Sequence, residues 1–210
     1  MSEKRRMNKA GIPHNNSGKK IMGSGTVRII SGRFKGRKLP VLDSQGLRPT
    51  TDRVKETLFN WLMFKVRDAK CLDAFAGSGA LGFEAISRYA ASVVMIEKDH
   101  LVAENLRKNS ALLKTDNLKI NEADTLTFLK NSTDSFDIIF LDPPFRKGIL
   151  TEIYPLLTSK IAPEGCLVYV EEEAEGFTPP PARFKLLKEG TAGQDTYRLY
   201  IVNSEQQVTA

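Results

Sequence analysis

The chain of 210 residues suits one globular domain with a small appendage and leaves little room for two full domains. Its apolar runs fall short of the ~20 residues of a membrane helix, and residues 1–6 are basic without the apolar segment of a secretory signal behind them, so we expect a cytoplasmic protein. Cys71 and Cys166 stand alone in apolar surroundings, which predicts buried, reduced thiols and no metal site.

Positive charge is concentrated near the N-terminus. Residues 1–53 hold 13 Lys and Arg against 3 Asp and Glu, a net charge of +10, whereas the other 157 residues carry 18 basic and 22 acidic groups, a net charge of −4. Clustered Lys and Arg neutralise phosphates, so this asymmetry favours a polyanionic partner. Residues 1–24 are polar and rich in Gly, Asn and Ser, which predicts a disordered basic tail that either binds the polyanion or only aids solubility.

The first predicted elements follow this tail. Short strands at 27–31 and 37–42 flank a basic connection that contains two glycines, which predicts a β-hairpin within an N-terminal extension of residues 25–48. A helix is predicted after Pro49, because apolar residues recur there at helical spacing: Val54, Leu58, Trp61 and Leu62.

Strands and helices alternate after Lys70. Strands are predicted at 71–75, 92–97, 117–121, 136–141 and 166–171, and helices near 80–90, 100–113, 124–130 and 148–160. The chain then ends in a predicted antiparallel hairpin, with strands at 184–187 and 196–202 around a connection at 189–193. The alternation predicts an α/β domain of residues 49–205 with a doubly wound parallel sheet, whose ligands bind beyond the carboxyl ends of the strands.

A glycine-rich loop follows the first strand of this domain. Gly77, Gly79 and Gly82 stand in G-x-G-x-x-G register at a strand-to-helix turn. Glu97 follows Gly77 by 20 positions, at the end of the next strand, where a carboxylate can accept hydrogen bonds from both hydroxyls of a ribose. The pattern predicts a nucleoside cofactor.

Asp73, just before the loop, favours S-adenosylmethionine over NAD. Its carboxylate would lie unfavourably near the pyrophosphate of a dinucleotide but suits the ammonium group of the methionyl moiety. Asp124, after the third strand, can accept from the adenine amino group, although it could also cap the helix that follows. The predicted cofactor-binding residues are Asp73, Phe75, Gly77, Ser78, Gly79, Glu97, Lys98, Ala123 and Asp124.

A second motif, Asp142-Pro143-Pro144-Phe145, follows the apolar strand at 136–141 and should reach the same edge of the sheet. The exocyclic amine of a nucleobase is a poor nucleophile, because its lone pair is delocalised into the ring. The Asp142 side chain and a prolyl carbonyl can accept hydrogen bonds from the amine and aim its lone pair at the methyl carbon, while Phe145 can stack on the extruded base. Such a turn alone could be structural, but after this glycine loop it predicts an amino-methyltransferase with Asp142, Pro143, Pro144 and Phe145 as catalytic residues and no metal.

With both motifs present, residues 28–202 resemble the RsmD-type guanine-N2 methyltransferases of 16S ribosomal RNA. Two N-terminal motifs carry the resemblance most specifically, because the later ones occur in many amino-methyltransferases: RIISGRFKGR at 28–37 and RPTTDRVKETLFN at 48–60. The glycine loop, the turn at 142–145 with Arg146, and GQDTYRLY at 193–200 complete it. The resemblance implies a Rossmann-like class I methyltransferase fold, with a seven-stranded, mostly parallel sheet, helices on both faces and an antiparallel last strand.

The resemblance also implies a substrate, one guanine N2 in the 16S rRNA of a largely assembled small ribosomal subunit. We expect a monomer with no membrane partner. Residues 1–24 lie outside the resemblance. Arg146 and Lys147 are predicted to bind RNA at the rim of the pocket. The other predicted RNA-binding residues would line a surface beside the pocket: Arg28, Arg33, Lys35, Arg37, Lys38, Arg48 and Arg53.

Three other functions fit parts of the pattern. A DNA adenine or cytosine amino-methyltransferase would share both the glycine loop and the turn at 142–145. An NAD-linked oxidoreductase would share the loop alone. A non-catalytic RNA-binding or assembly factor could keep the fold without turnover.

Overall fold

The computed structural model describes residues 25–42, 51–144 and 148–204. Its first two strands, β1 (Gly25–Arg28) and β2 (Lys38–Val41), pair as an antiparallel hairpin, as the sequence predicts. The main sheet has seven strands: β3 (Lys70–Asp73), β4 (Ser92–Glu97), β5 (Leu118–Glu122), β6 (Ile138–Leu141), β7 (Leu167–Glu173), β8 (Phe184–Ala192) and β9 (Asp195–Val202).

The strand order of the main sheet is β5-β4-β3-β6-β7-β9-β8. Strands β3 to β7 run parallel, and β9 lies between β7 and β8 and antiparallel to both. The order reverses between β3 and β6, and in doubly wound sheets the ligand crevice opens at that point, beyond the carboxyl ends of the strands. The predicted Rossmann-like class I fold, with its antiparallel last strand, is confirmed.

Helices cover both faces of the sheet. Side chains of α1 (Asp52–Trp61), α2 (Ala80–Ser87) and α3 (His100–Leu113) join one hydrophobic core, and those of α4 (Thr125–Asn131) and α5 (Leu150–Ile153) join a second. Strand β6 serves both, because Ile138 and Phe140 belong to the first core and Ile139 and Leu141 to the second. A strand covered on both faces is apolar throughout, which explains the continuous apolar sequence of β6.

The hairpin shares the first core with α1 and the sheet. Its residues Ile29, Phe34 and Leu39 are buried in the same cluster as Leu58 and Phe140. Burial of apolar area is the main favourable contribution to folding, so the hairpin and the larger unit stabilise each other. The N-terminal hairpin is therefore an integral part of the folded unit.

Three predicted elements differ clearly from the structure, and the first is the strand predicted at 27–31, which lies at Gly25–Arg28. The helix predicted at 148–160 is wrong in length: α5 ends at Ile153, and a single 3₁₀ turn (Tyr154–Leu156) follows. Pro155 has no N–H to continue the α-helical hydrogen bonds. The connection predicted at 189–193 is mostly strand, since β8 extends to Ala192; this edge strand is largely exposed and lacks the apolar alternation that marks a strand in sequence.

The two cysteines are buried free thiols, as predicted. Burial raises the pKa of Cys166 to about 12 and raises that of Cys71 further. Within residues 25–42, 51–144 and 148–204, no cluster of three or more His, Cys, Asp or Glu side chains is arranged to hold a metal ion. None of the helices described in these ranges is both long enough and apolar enough to cross a membrane.

Candidate active site

The predicted cofactor residues gather at one edge of the sheet, because β3, β4 and β5 are parallel and end side by side there. The loop after β3 is tied to its neighbour by backbone hydrogen bonds, with the Ala76 N–H donating to the carbonyl of Ile96 at 2.9 Å. The loop after β5 is tied in the same way, since the Ala123 N–H donates to the carbonyl of Glu97 at 3.0 Å. Three chain segments distant in sequence therefore form one rim.

The glycine loop needs glycine for its shape. Gly77 and Gly79 have φ angles of +48° and +79°, which favour glycine. A Cβ on Gly79 would also lie 2.4 Å from the ring of Phe83 in α2. A residue with a side chain at this position would therefore clash with the first turn of the helix. Ser78, between the two glycines, is half-buried, and Phe75 packs its ring against the second core. The backbone can thus approach a ligand closely at this turn.

Glu97 joins the glycine loop to the end of β4. Its Oε2 accepts from the Gly77 N–H at 2.9 Å, and its Oε1 accepts from the Asp99 N–H at 2.8 Å. Each carboxylate oxygen has two lone pairs, so both retain an acceptor site for ribose hydroxyls. The backbone contacts fix the carboxylate in place, which pre-organises it for such a ligand. Lys98, the next residue, is exposed.

Asp73 lies beneath the loop and is only 2% exposed. Its Oδ2 accepts from the Gly82 N–H in α2 at 3.0 Å. Burial raises the pKa of Asp73 to about 7, the bond from Gly82 opposes this shift, and the charge of Glu97 adds to it. A buried carboxylate beside another carboxylate is a suitable partner for a ligand ammonium group, because the cation would offset the cost of its charge.

Asp124 caps α4, which is the role that the sequence allowed besides adenine binding. Its Oδ1 accepts from the Thr127 N–H at 3.1 Å and from the Thr127 hydroxyl at 3.3 Å. A carboxylate that caps a helix through one oxygen keeps acceptor capacity on the other. A second function as an adenine acceptor stays a prediction.

The Asp142 turn follows β6 at the same edge of the sheet. Asp142 is half-buried, Pro143 is buried and Pro144 is exposed. Phe145, Arg146 and Lys147 lie outside the described residues, so the predicted stacking of Phe145 stays a prediction. The Ala74 N–H donates to the carbonyl of Phe140 at 3.1 Å, which ties the end of β6 to the end of β3. The turn therefore lies beside the strand that leads into the glycine loop.

A cavity of about 170 Å³ opens next to this turn. It is lined by Pro143, by the first residues of the α5 region, by Gly176 and Thr178, and by the acidic end of β7. The three consecutive glutamates at that end were not among the predicted site residues: Glu171, Glu172 and Glu173. A run of carboxylates at the end of an apolar strand was the signal in the sequence that could have located them.

The basic residues of the hairpin are exposed, but its turn is not beside the pocket as predicted. Arg33 donates to the Thr115 hydroxyl at 3.3 Å, and Arg37 donates to the carbonyl of Leu112 at 3.0 Å. Leu112 and Thr115 lie at the C-terminal end of α3, at the edge where the parallel strands begin. The expected location of Arg33 and Arg37 is therefore wrong, because the hairpin turn docks on helix ends opposite the glycine loop.

The remaining basic residues divide into two groups. Four of them are exposed in the structure: Arg28, Lys35, Lys38 and Arg53. Arg48, Arg146 and Lys147 lie outside the described residues, as does the basic tail of residues 1–24. RNA binding by any of these residues stays a prediction.

Comparison with known proteins assigns the chain to a family. The family model described as "Conserved hypothetical protein 95" matches residues 27–201. The Escherichia coli K12 protein "Ribosomal RNA small subunit methyltransferase D" is 53% identical over 181 residues, which cover 85% of this chain and 91% of that protein. The Haemophilus influenzae protein of the same name is 48% identical over 182 residues, covering 84% and 94%.

A solved structure agrees with this assignment. The "putative methyltransferase yhhF from Escherichia coli" superposes with a TM-score of 0.80 at 48% identity, over 86% of this chain and 100% of that one. The family match spans both the hairpin and the sheet that carries the glycine loop and the Asp142 turn. The chain therefore belongs to the "Conserved hypothetical protein 95" family, the RsmD family of methyltransferases.

Proposed function

We propose that this methyltransferase transfers a methyl group from S-adenosylmethionine to the N2 amine of one guanine in the 16S rRNA of the small ribosomal subunit. The observation that carries the proposal is the Asp142–Pro144 turn at the end of β6, beside the strand that leads into the glycine loop. The names of the curated relatives, which describe small-subunit rRNA methyltransferases, support the rRNA substrate.

The edge of the sheet where β3, β4 and β5 end carries side chains whose chemistry fits S-adenosylmethionine. Glu97 is pre-organised to accept from the ribose hydroxyls, and the buried carboxylate of Asp73 suits the methionyl ammonium group. The glycine loop lets the backbone approach the ligand between these two acidic groups. S-adenosylmethionine supplies an activated methyl group, whose transfer breaks a C–S bond and leaves S-adenosylhomocysteine.

Asp142 and the carbonyl of a neighbouring proline would hold the target amine. Both accept hydrogen bonds from N2, which localises the nitrogen lone pair and directs it at the methyl carbon. The new N–C bond uses that lone pair, and the surplus proton leaves N2 for solvent after transfer. The reaction needs orientation more than a strong base, because N2 becomes acidic only once it is methylated.

The exposed basic residues of the hairpin would bind the rRNA backbone. Phosphate contacts position a protein on nucleic acid without selecting a base, so selection must come from the pocket itself. The turn of the hairpin lies at the edge opposite the pocket, which requires a substrate that extends along the protein. A folded ribosomal subunit meets that requirement.

The test uses small subunits from a strain that lacks this protein. Purified protein, labelled S-adenosylmethionine and these subunits are incubated, and the rRNA is digested and its nucleosides identified; duplex DNA is treated in parallel. We expect N2-methylguanosine at a single position and no label in DNA. Labelled N6-methyladenine or N4-methylcytosine in DNA, or no transfer to the subunit, would overturn the proposal.

A further inference from the structure

Glu171 of β7 is the residue that the strand register places opposite Asp142, which directly follows β6. Leu141, the last residue of β6, pairs with Val170 of β7, so the same register continued by one residue brings Asp142 opposite Glu171. Paired residues of parallel strands point to the same face, and the rings of Phe140 and Tyr169, each two residues before Asp142 or Glu171, confirm this with a centroid distance of 6.5 Å. The two carboxylates therefore face the same side of the sheet.

A hydrogen bond from Tyr169 holds the Glu171 side chain in place. The Tyr169 hydroxyl donates to Oε2 of Glu171 at 2.8 Å. Burial raises the pKa of Tyr169 well above its ordinary value, and the charges of Glu171 and Asp142 raise it further. Glu171 is 7% exposed and lines the cavity that Pro143 also lines. A buried carboxylate is thus held at the wall of the pocket next to the predicted catalytic turn.

The donors and acceptors on the edge of each base determine which base such a carboxylate can bind. The N2 amine of guanine is adjacent to N1–H, which is a donor. The amines of adenine and cytosine are adjacent to an unprotonated ring nitrogen, which is an acceptor. A carboxylate accepts from N1–H but repels a ring lone pair, so a carboxylate beside the amine site selects guanine.

The spacing of the strands suits this arrangement. Neighbouring strands lie about 4.8 Å apart, so side chains that leave them together can reach adjacent groups on one base edge. Asp142 would accept a hydrogen bond from the N2 amine, and Glu171 would accept one from the adjacent N1–H. Two carboxylates at close range repel each other, and donors of a bound guanine would offset that repulsion.

We propose that Glu171 is the specificity-determining residue of the pocket and accepts a hydrogen bond from N1–H of the target guanine. This inference rests on the proposed function, because it takes guanine N2 as the methyl acceptor. Neither the glycine loop nor the Asp142 turn distinguishes guanine from the other bases, whereas an acceptor for N1–H does.

The test compares two purines that carry the same N2 amine. Small subunits are reconstituted with 16S rRNA that bears either guanine or 2,6-diaminopurine at the target position; the second base has an acceptor at N1. Wild-type protein should methylate guanine with a kcat/KM at least about 10-fold higher than that for diaminopurine. In Glu171→Gln the rate on guanine should fall by about 10-fold or more, and the ratio should collapse or reverse, because the amide can donate to N1.

Two further variants separate recognition from folding. Glu171→Asp keeps the charge and should retain the preference for guanine even where turnover falls. Glu173→Gln, two residues along the same strand and also at the cavity wall, should leave the ratio of the two rates unchanged. The affinity of each variant for S-adenosylhomocysteine, measured by calorimetry, reports whether the cofactor site is intact.

The outcomes distinguish this inference from the proposed function. Wild-type protein that methylates neither purine at N2 overturns both. Wild-type protein that methylates guanine, together with a Glu171→Gln variant that keeps the wild-type ratio, overturns the role of Glu171 alone. Loss of the guanine preference in Glu171→Asp or in Glu173→Gln would likewise overturn it.

Discussion

Gly32 lies directly against the backbone carbonyl of Ser87 at the end of α2. A Cβ built on Gly32 would come within 1.9 Å of that oxygen, and the φ angle of Gly32 is +82°. The next N–H of the hairpin, that of Arg33, donates to the same carbonyl at 2.7 Å. The hairpin turn can dock on α2 only because this residue has no side chain.

A pair of glycine substitutions tests this docking. Gly36→Ala meets open space at a φ of +83°, so it should cost only the backbone strain, about 1–2 kcal/mol of unfolding free energy. Gly32→Ala combines similar strain with the clash and should cost about 1–3 kcal/mol more. Urea unfolding of both variants measures the difference. Equal losses would show that the close contact with Ser87 contributes nothing.

Glu84 should be a second anchor of the hairpin. It is fully buried, and its carboxylate accepts from the N–H groups of Ile30 at 2.7 Å and Ser31 at 3.1 Å and from the Arg88 side chain at 2.7 Å. Glu84→Ala should lower the unfolding free energy by about 3–5 kcal/mol, because it leaves buried donors and a cation unpaired. Glu104→Ala on the exposed face of α3 is the control and should change it by less than about 1 kcal/mol. A loss in Glu84→Ala no larger than in this control would contradict the anchor.

The sequence predicted most of the main sheet, because buried parallel strands alternate with helices in a regular pattern. The bounds of β4 were predicted without error. The position of the hairpin turn was not predictable, since local sequence shows that a turn forms but not which helix ends receive it. Glu171 was missed for a similar reason: only the register of β6 and β7 shows which glutamate of the acidic run lies beside Asp142.

Asp73 should make the protein sensitive to pH. Its folded-state pKa is about 7, above the ordinary value of 3.8, so its stabilising contribution is full below the ordinary value and is lost as the pH rises through 7. The Asp73→Asn side chain does not ionise, so the variant lacks this pH-dependent loss of stability, and its amide oxygen can still accept from the Gly82 N–H. The free energy of unfolding of the ligand-free variant should therefore fall less than that of the wild type between pH 4 and pH 8, as measured by urea unfolding.

The same variant tests the contact with the cofactor. At pH 8 the carboxylate is charged, so Asp73→Asn should weaken S-adenosylmethionine binding by about 10-fold or more, as measured by calorimetry. In the wild type, affinity should fall as the pH drops below 7, because the protonated carboxyl no longer attracts the ammonium group. Wild-type affinity in the variant at pH 8 would mean that Asp73 only supports the fold.

The hairpin lysines should contribute to RNA affinity by binding phosphates. Lys35→Ala with Lys38→Ala should weaken binding to the small subunit and lower the slope of log affinity against log salt by about 1 for each lysine that binds a phosphate in the wild type. Lys185→Ala with Lys188→Ala makes the same charge change on the edge strand β8 and is the matched control. Identical salt slopes for both double variants would contradict a specific role for the hairpin. S-adenosylhomocysteine affinity should be unchanged in both.

Asp142→Ala under single-turnover conditions tests the central claim most directly. With saturating S-adenosylmethionine and small subunits, the rate of methyl transfer should fall by at least about 100-fold, because the amine loses the group that orients it. Affinities for S-adenosylhomocysteine and for the subunit should stay within about 3-fold of the wild type, since neither depends on this carboxylate. A rate within a few-fold of the wild type, with binding intact, would contradict the assignment of the Asp142 turn as the catalytic centre.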